Sequence, residues 1–193
     1  MSAKRERLAV VTGGIGGLGT EICIHLARSG RKVVAADLDA RPERIDAFRE
    51  SVSEFNGHIR FEPLNVADFD HCAEFAERVQ QHHGAVDILV NAAGITRDTT
   101  LRKMDAKQWS DVIRVNLDGV FNLSRQFVDG MCERGFGRIV NISSVNGQTG
   151  QFGDRRAAGE QDREHGGPFH GLQSLRTGQQ GHDGQHHHHH AEA

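Results

Sequence analysis

The stretch from Leu8 to Gly19, read L-A-V-V-T-G-G-I-G-G-L-G, constrains the fold of this chain more than any other. It joins a short apolar run directly to a cluster of glycines, and a helical pattern begins at Gly17. Such an apolar run suits a buried parallel strand, and glycines after it let the backbone bend sharply and approach a phosphate group. The pattern predicts a strand, a phosphate-binding turn and a helix whose positive N-terminal end points at the ligand.

A carboxylate follows where a dinucleotide-binding unit would need one. Asp37 closes the next predicted strand, Lys32 to Asp37, roughly 20 residues after the glycines, where such units place the residue that hydrogen-bonds the ribose 2′-hydroxyl. Asp37 therefore favours NAD over NADP, because a carboxylate repels a 2′-phosphate. The alternative is an ordinary glycine-rich turn between a strand and a helix, with a solvated carboxylate at the end of the second strand.

Apolar runs and helical patterns alternate as far as Ile142. Strands separated by helices predict right-handed crossovers, so the expected fold class is α/β, a doubly wound parallel sheet that is Rossmann-like. The predicted strands are Leu8 to Thr12, Lys32 to Asp37, Ile59 to Leu64, Asp87 to Asn91 and Arg138 to Ile142. The predicted helices are Gly17 to Ser29, Pro42 to Phe55, Phe69 to His83 and a long one from about Ala106 to Cys132.

Composition excludes several classes of protein. The chain has 193 residues, 37% of them hydrophobic, and no apolar run long enough to span a membrane, so one soluble domain is expected. The N-terminus shows no signal peptide, which makes the cytoplasm the expected location. A net charge of −3 without a basic face argues against nucleic-acid binding. Cys23, Cys72 and Cys132 are widely spaced and suit reduced core thiols rather than a metal site or a disulfide framework.

Four runs carry a resemblance to a known family. They are T-G-G-I-G-G-L-G (Thr12 to Gly19), N-A-A-G (Asn91 to Gly94), V-N-L-D-G (Val115 to Gly119) and G-R-I-V-N-I-S-S-V-N-G-Q-T-G-Q-F-G (Gly137 to Gly153). From Leu8 to about Gly153 the sequence resembles the short-chain dehydrogenase/reductase family. The runs A-G-I-T-R-D, R-K-M and N-I-S-S-V-N-G-Q-T-G-Q-F-G are most similar to its acetoacetyl-CoA reductase branch, with 3-oxoacyl-carrier-protein reductases as the near alternative.

The resemblance implies a ketoreductase site with NAD or NADP as cofactor. In the family a serine polarises the ketone, a tyrosine protonates the nascent alkoxide, a lysine holds the nicotinamide ribose, and an asparagine orients a water on that lysine. Ser144 matches the serine and Asn116 the asparagine, although Ser144 also fits a solvated hydroxyl at a strand end. The residues that the resemblance assigns to the cofactor are Gly13, Ile15, Gly17, Leu18, Gly19, Asp37, Asn65, Val66, Asn91, Ala92, Ala93 and Gly94.

The resemblance also implies partners. The expected substrate is an acyl-CoA thioester, and family members are usually homotetramers. Asp98, Lys103, Gln151 and Phe152 match positions that contact the acyl-CoA in this branch. Asp98 and Lys103 fit a solvated loop and the start of a helix equally well.

The family pattern breaks after Gly153. The pattern places tyrosine at position 157 and lysine at position 161, but the chain has Ala157 and Gln161 there and contains no tyrosine. Residues 154–193 lack apolar periodicity, so they are expected to be disordered, whereas residues 1–153 form the dinucleotide-binding domain. The chain also ends short of the usual family length, and the sheet is therefore expected to be incomplete at its C-terminal edge.

Codon arithmetic predicts that this tail is translated out of frame. Gly159 to Asp162 must be encoded GGN-GAR-CAR-GAY, which one nucleotide later permits Ala-Ser-Lys with the lysine at position 161. Gly184 to His188 likewise permits Val-Asn-Thr-Ile, a sixth-strand sequence of the family. Ala157 cannot shift to a tyrosine codon, so a single insertion or deletion does not explain everything. A tag is the alternative interpretation of the histidine run from His186 to His190.

Three functions remain open at the level of the sequence. The first is an NAD(P)-dependent ketoreductase, supported by the motifs up to Gly153. The second is a dinucleotide-binding half-domain without catalysis, supported by Ala157 and Gln161. The third is a broken gene product that does not fold stably, supported by the missing sheet edge.

Overall fold

Strands and helices alternate along the chain as predicted. The computed structural model of the protein describes residues 6–38 and 41–144. Its strands are β1 (Leu8–Thr12), β2 (Lys32–Asp37), β3 (Ile59–Pro63), β4 (Val86–Asn91) and β5 (Arg138–Asn141). Its α-helices are α1 (Gly17–Arg28), α2 (Pro42–Ser51), α3 (Phe69–His83), α4 (Ala106–Ile113) and α5 (Gly119–Glu133), with a 3₁₀ turn at Ser53–Phe55 and a π-helical turn at Arg114–Asp118.

The strands form one parallel sheet in the order β3-β2-β1-β4-β5. From β1 the chain builds outward through β2 to β3, and it then returns to place β4 on the other side of β1. In doubly wound sheets, ligands bind beyond the carboxyl ends of the strands at such a reversal of strand order. The predicted fold class is confirmed, and it locates the candidate site where β1 and β4 end.

Both faces of β1 are covered, which explains its unbroken apolar sequence. All five of its residues are buried. Leu8 and Val10 belong to the core cluster that α3 and α5 complete, whereas Ala9 and Val11 belong to the cluster that α1 and α2 complete. A strand buried on both faces has no solvent side, and its apolar residues therefore do not alternate with polar ones.

β5 forms the edge of the described part of the sheet. It pairs with β4 in register, from Ile88 opposite Arg138 to Asn91 opposite Asn141. Within the described ranges, no strand pairs with its other side. Val140 and Ile142 are exposed there, as expected for a strand that leaves part of its apolar surface uncovered.

The helix predicted from about Ala106 to Cys132 is interrupted. α4 begins with a capping box, in which the Asp105 carboxylate accepts from the Gln108 N–H at 2.7 Å and the Gln108 side chain accepts from the Asp105 N–H at 3.0 Å. The backbone becomes π-helical at Arg114–Asp118 before α5 continues to Glu133. A π-turn widens the helix locally and often marks a functional site, and apolar periodicity does not reveal it.

Most predicted bounds coincide with those of the structure, and five differ by a single residue; the largest difference is that α2 ends at Ser51 rather than at Phe55. The three cysteines are free and lie on α1, α3 and α5; Cys23 and Cys72 are buried, but Cys132 is exposed, so its prediction as a core thiol was wrong. None of the helices in the described ranges has the length and apolarity needed to cross a bilayer. The described residues belong to one unit, Met1–Gln161. The second unit, Asp162–Ala193, and the predicted boundary at residue 153 lie outside the described residues.

Candidate cofactor site

In the turn between β1 and α1 and in the first turn of α1, a Cβ atom would clash at Gly13, Gly14 and Gly19. Gly13 has φ +65°, and a Cβ atom added there would lie 2.9 Å from the carbonyl oxygen of Ala92. A Cβ atom added at Gly19 would overlap the carbonyl oxygen of Gly13. The Gly16 N–H closes the turn by donating to the Gly13 oxygen at 3.0 Å. The glycines therefore bring α1 and the end of β4 against the end of β1.

The N-terminus of α1 has the features of an anion site. No side chain of the described residues caps it, and its first turn contains no acidic residue. Two side chains of α1 contact the turn: the Thr20 hydroxyl donates to the Gly14 carbonyl at 3.3 Å, and the Cys23 thiol lies 3.9 Å from the same oxygen. A twelve-residue helix with free terminal N–H groups carries partial positive charge there, which suits a phosphate group.

Thr12 holds the ends of β1 and β4 together. Its hydroxyl oxygen accepts from the N–H groups of Ala92 and Ala93, each at 3.0 Å. The side chain is almost completely buried. Thr12 was not among the predicted site residues. The signals that could have identified it are its place at the end of the strand, directly before the glycines, and its place at the start of the run T-G-G-I-G-G-L-G.

A cavity of about 390 Å³ opens at this edge of the sheet. Most residues assigned to the cofactor line it, namely Gly13, Gly17, Leu18, Gly19, Asp37, Asn65, Val66, Ala92, Ala93 and Gly94. Two of the assigned residues do not. Ile15 packs against the core cluster on the α1 face. Asn91 is buried, and its amide donates to the Ser124 hydroxyl at 3.2 Å and to the Asn141 side chain at 2.9 Å, so it joins β4 to α5 and β5.

Side chains of opposite charge line the β2 end of the cavity. Asp37 lies in the lining, and one of its carboxylate oxygens accepts from the Leu38 N–H at 2.8 Å. Arg44, in the first turn of α2, also lines the cavity and is exposed. No motif in the sequence marks Arg44. This residue reaches the cavity only because of the way in which α2 packs.

The wall formed by Asn65 and Val66 is held by several hydrogen bonds. The Asn65 N–H donates to His71 Nδ1 at 3.1 Å. The buried amide of Asn122, on α5, donates to the Val66 carbonyl at 2.9 Å. The Cys72 thiol lies 3.7 Å from that same oxygen. Side chains from α3 and α5 thus fix this segment after β3.

Asn116 lies in the π-turn next to the cavity wall. Its Oδ1 accepts from the Ile95 N–H at 2.9 Å, and its Nδ2 donates to the Ile95 carbonyl at 3.0 Å. A Cβ atom added at Gly94 would lie 3.6 Å from the same Oδ1. Both ends of the amide are therefore engaged with the backbone after β4, which makes Asn116 a positioning residue in this structure.

Of the remaining predicted site residues, those that the structure describes do not line the cavity. Ser144 is exposed and follows the end of β5 by three residues, on the carboxyl side of the sheet. Asp98 and Lys103 are exposed in the segment between β4 and α4. Gln151 and Phe152 lie outside the described residues, as do Ala157 and Gln161. Their predicted roles stay predictions.

The residues of the cavity fit a dinucleotide. The glycine turn contributes no side chain that would obstruct a diphosphate, and the uncapped end of α1 supplies donors to it. Asp37 stands at the end of β2, where a ribose hydroxyl needs an acceptor. The cavity volume lies within the range usual for small-molecule sites.

Comparisons with known proteins agree with this geometry. The family model described as short chain dehydrogenase matches residues 7–155. The chain is 46% identical over 160 residues to an acetoacetyl-CoA reductase of Allochromatium vinosum, covering 83% of this chain and 65% of that protein. It is 47% identical over 148 residues to an acetoacetyl-CoA reductase of Cupriavidus necator, covering 77% of this chain and 60% of that protein.

A more distant relative and a solved structure extend the comparison. A 3-oxoacyl-(acyl-carrier-protein) reductase, FabG, of Thermotoga maritima is 38% identical over 152 residues, covering 79% of this chain and 61% of that protein. A solved structure assigned to the short-chain dehydrogenases of Novosphingobium aromaticivorans superposes with a TM-score of 0.67 at 31% identity, covering 72% of this chain and 52% of that one. The chain thus spans about three fifths of the length of these curated relatives. By its glycine turn, its parallel sheet and the match over residues 7–155, this chain belongs to the short-chain dehydrogenase family, whose fold implies NAD(P) binding.

Proposed function

We propose that the described domain is the cofactor-binding part of an NAD(P)H-dependent reductase of 3-oxoacyl thioesters, with acetoacetyl-CoA reduced to 3-hydroxybutanoyl-CoA. The observation that carries this proposal is the cavity where β1 and β4 end, which the glycine turn, the uncapped end of α1 and Asp37 share. The names of the relatives supply the substrate class. A 3-oxoacyl-carrier-protein reductase is the near alternative, represented by the less similar Thermotoga maritima relative.

The residues of this chain would serve that reaction by binding and orientation. A bound nicotinamide would supply the hydride. The α1 terminus and the glycine turn hold the diphosphate, and Asp37 holds the adenosine ribose. Ser144 would donate a hydrogen bond to the ketone oxygen and so stabilise the alkoxide that hydride addition forms, and water would supply the proton to that alkoxide. Asn116 sets the position of the backbone at Ile95.

A second candidate function is dinucleotide binding without catalysis. The observation that favours it is the absence of tyrosine from the whole sequence, with Ala157 and Gln161 at the positions of the family's acid and lysine. A positioned proton donor typically contributes a factor of about 10² to 10⁴ to the rate. Binding and turnover therefore separate the two candidates, because only the first requires both.

The test is to titrate the purified chain with NADH and with acetoacetyl-CoA by calorimetry, and then to measure NADH oxidation in the presence of both. Binding of both ligands together with NADH oxidation supports the reductase proposal. Binding of NADH without its oxidation supports the second candidate. Failure to bind any nicotinamide dinucleotide contradicts both candidates. Gly13→Val is the matched control, because a side chain at this position would meet the Ala92 carbonyl and disrupt the turn.

We propose NAD as the preferred cofactor. Asp37 would accept a hydrogen bond from a free 2′-hydroxyl and repel a 2′-phosphate. Arg44 lines the same end of the cavity and would attract that phosphate, so the two residues act in opposite directions. Fluorescence titrations with NADH and NADPH decide between them. We expect tighter NADH binding, a shift toward NADPH in Asp37→Asn, and weaker NADPH binding in Arg44→Gln; tighter NADPH binding by the unaltered chain contradicts the proposal.

We also propose that the chain associates with further copies of itself. An exposed apolar face on α3, the π-turn and α5 supports association with further copies: Phe69 and Phe121 stack with their ring centroids 6.3 Å apart, and Leu117 is exposed. Sedimentation of the chain and of Phe121→Ser tests it, and a monomer at all concentrations contradicts it.

The proposed division places the dinucleotide-binding domain in residues 1–153 and an out-of-frame tail in 154–193. The end of the family match at residue 155 supports that boundary.

A further inference from the structure

The segment between β4 and α4 has little structure of its own. From Ile95 to Met104 it contains neither strand nor helix, and most of its residues are exposed. Its internal backbone hydrogen bonds are short-range, such as the Thr99 N–H to the Arg97 carbonyl at 2.8 Å and the Lys103 N–H to the Thr100 carbonyl at 2.8 Å. Interactions with neighbouring elements must therefore decide where this segment lies.

Side chains from the helix that follows supply two such interactions. Asn116 in the π-turn binds both backbone polar groups of Ile95. Five residues earlier, on α4, the Asp111 carboxylate lies 3.4 Å from the Arg97 guanidinium. Ile95 lines the cavity, and Asp98 follows Arg97 directly. The helix thus holds the segment once at the cavity wall and once beside Asp98.

The Asp111 carboxylate interacts with two cations, but only one of them joins different elements. Lys107 lies 2.8 Å away on the same helix, and its side chain is 82% exposed. Arg97 belongs to the segment, and its side chain is 38% exposed. The hydrogen bond from Lys107, with a smaller contribution from Arg97, lowers the pKa of Asp111, so the carboxylate stays charged at neutral pH. Without Lys107 the segment would keep its ion pair with α4, whereas without Arg97 or Asp111 that ion pair would be lost.

We propose that Asp111 is a positioning residue: through Arg97 it holds the segment that presents Asp98 and Lys103 to the acyl thioester, while Asn116 independently holds the cavity wall at Ile95. This inference rests on the proposed function for the identity of the substrate. Asp111 itself touches neither ligand in this arrangement. Its loss should therefore weaken binding of the thioester and leave binding of the dinucleotide unchanged.

The experiment compares Asp111→Asn and Arg97→Gln with Lys107→Gln as the matched control. Hydrogen exchange over residues 95–105 reports the segment directly, and calorimetry measures affinity for acetoacetyl-CoA and for NADH. We expect Asp111→Asn and Arg97→Gln to accelerate exchange in this segment and to weaken acetoacetyl-CoA binding about two- to fivefold, as for a partly exposed ion pair. NADH affinity should not change, and Lys107→Gln should change none of the three quantities.

The double variant Arg97→Asp with Asp111→Arg reverses the pair and should restore slow exchange. Unchanged exchange in Asp111→Asn, or an equal effect in Lys107→Gln, overturns the proposal. If the unaltered chain binds NADH but not acetoacetyl-CoA, the proposed substrate is wrong, and the exchange data still decide the role of Asp111. Thermal unfolding of each variant separates a local release of the segment from global destabilisation.

Discussion

One side chain at the end of β1, that of Thr12, supports a wall of the cavity. Thr12 satisfies two backbone N–H groups, those of Ala92 and Ala93, with one hydroxyl oxygen. Both N–H groups directly follow the last residue of β4 and are partly buried. A buried N–H without a partner costs about 1 to 3 kcal/mol. The hydroxyl therefore stabilises the cavity wall as well as the strand end.

We expect Thr12→Val to lower the free energy of unfolding by about 2 to 4 kcal/mol, because the isosteric side chain leaves both N–H groups unpaired. NADH affinity should fall as well, since Ala92 and Ala93 line the cavity. Urea denaturation followed by the fluorescence of Trp109, the single tryptophan, measures the first quantity. Thr12→Ser keeps the hydroxyl and is the control; an equal loss in both variants contradicts the role assigned to the oxygen.

The three thiols differ in reactivity according to burial. Burial raises the pKa of Cys23 to about 12, and burial followed by the nearby Asp68 charge raises that of Cys72 to about 12. Cys132 is exposed. Because the thiolate is the reactive form, iodoacetamide at pH 8 should label Cys132 in the native chain and the other two only after unfolding. Mass spectrometry of the labelled peptides checks this, and rapid native labelling of Cys23 would contradict it.

The same pKa shifts predict a dependence of stability on pH. The folded-state pKa values lie above those of thiols in the unfolded chain, so these groups favour the folded state fully below the unfolded value of about 8.5. That contribution is lost progressively as pH rises from about 8.5 toward 12. Denaturant midpoints measured between pH 7 and pH 10 should therefore fall, and the fall should be smaller in Cys23→Ala.

At the scale of elements, two glycines in the first turn of α1 are required for different reasons. At Gly19 a side chain would overlap the Gly13 carbonyl oxygen, so the packing of the helix against the turn excludes it. At Gly17 an added Cβ atom would meet nothing within 4 Å, yet the residue lines the cavity. Packing of the protein explains Gly19, and we infer that Gly17 leaves space for the proposed ligand.

Two matched variants separate these demands. Gly19→Ala should destabilise the fold by several kcal/mol and abolish NADH binding, because backbone must move to admit the methyl group. Gly17→Ala should leave stability unchanged or raise it by up to about 1 kcal/mol, since alanine favours the helix. It should nevertheless weaken NADH binding. Thermal unfolding and fluorescence titration measure the two effects; destabilisation in Gly17→Ala would show that the space there is needed for folding.

At the scale of the whole molecule, the described residues form the cavity of the proposed cofactor site. Ser144 lies just past β5, at the edge of the described sheet. From the family resemblance we expect tyrosine and lysine at positions 157 and 161, where the chain has Ala157 and Gln161. Exposed Val140 and Ile142 on the edge strand also make association through that edge a liability.

We expect the chain as translated to reduce acetoacetyl-CoA about 10² to 10⁴ times more slowly than a variant with the shifted frame restored and tyrosine at position 157. The restored variant regains both the proton donor and the lysine that lowers the pKa of that tyrosine. NADH oxidation by the two purified proteins is the measurement, with NADH affinity measured alongside it. Equal rates would show that the acid is unnecessary. Sequencing the DNA around the codon for Gly153 tests the frame itself.

The sequence by itself determined the parallel α/β fold and most of the cavity. The positive φ of Gly13 and the contact of Gly19 with the Gly13 carbonyl are local backbone demands, and a buried parallel strand requires an apolar run such as Leu8 to Val11. Demands of this kind act between residues close in sequence, and they therefore leave a readable pattern. Asp37 could be predicted for a similar reason, because one crossover fixes its distance from the glycines.

Only the tertiary structure decided the contacts between distant parts of the chain. It turned the Asn91 amide toward Ser124 and Asn141, brought Arg44 to the cavity, and paired Asn116 with Ile95 through a π-turn. The Thr12 hydroxyl meets N–H groups 80 and 81 residues away. Such pairings depend on which strands become neighbours and on where a helix changes its pitch. Hydrophobic periodicity contains neither piece of information, because it records only which side of an element is buried.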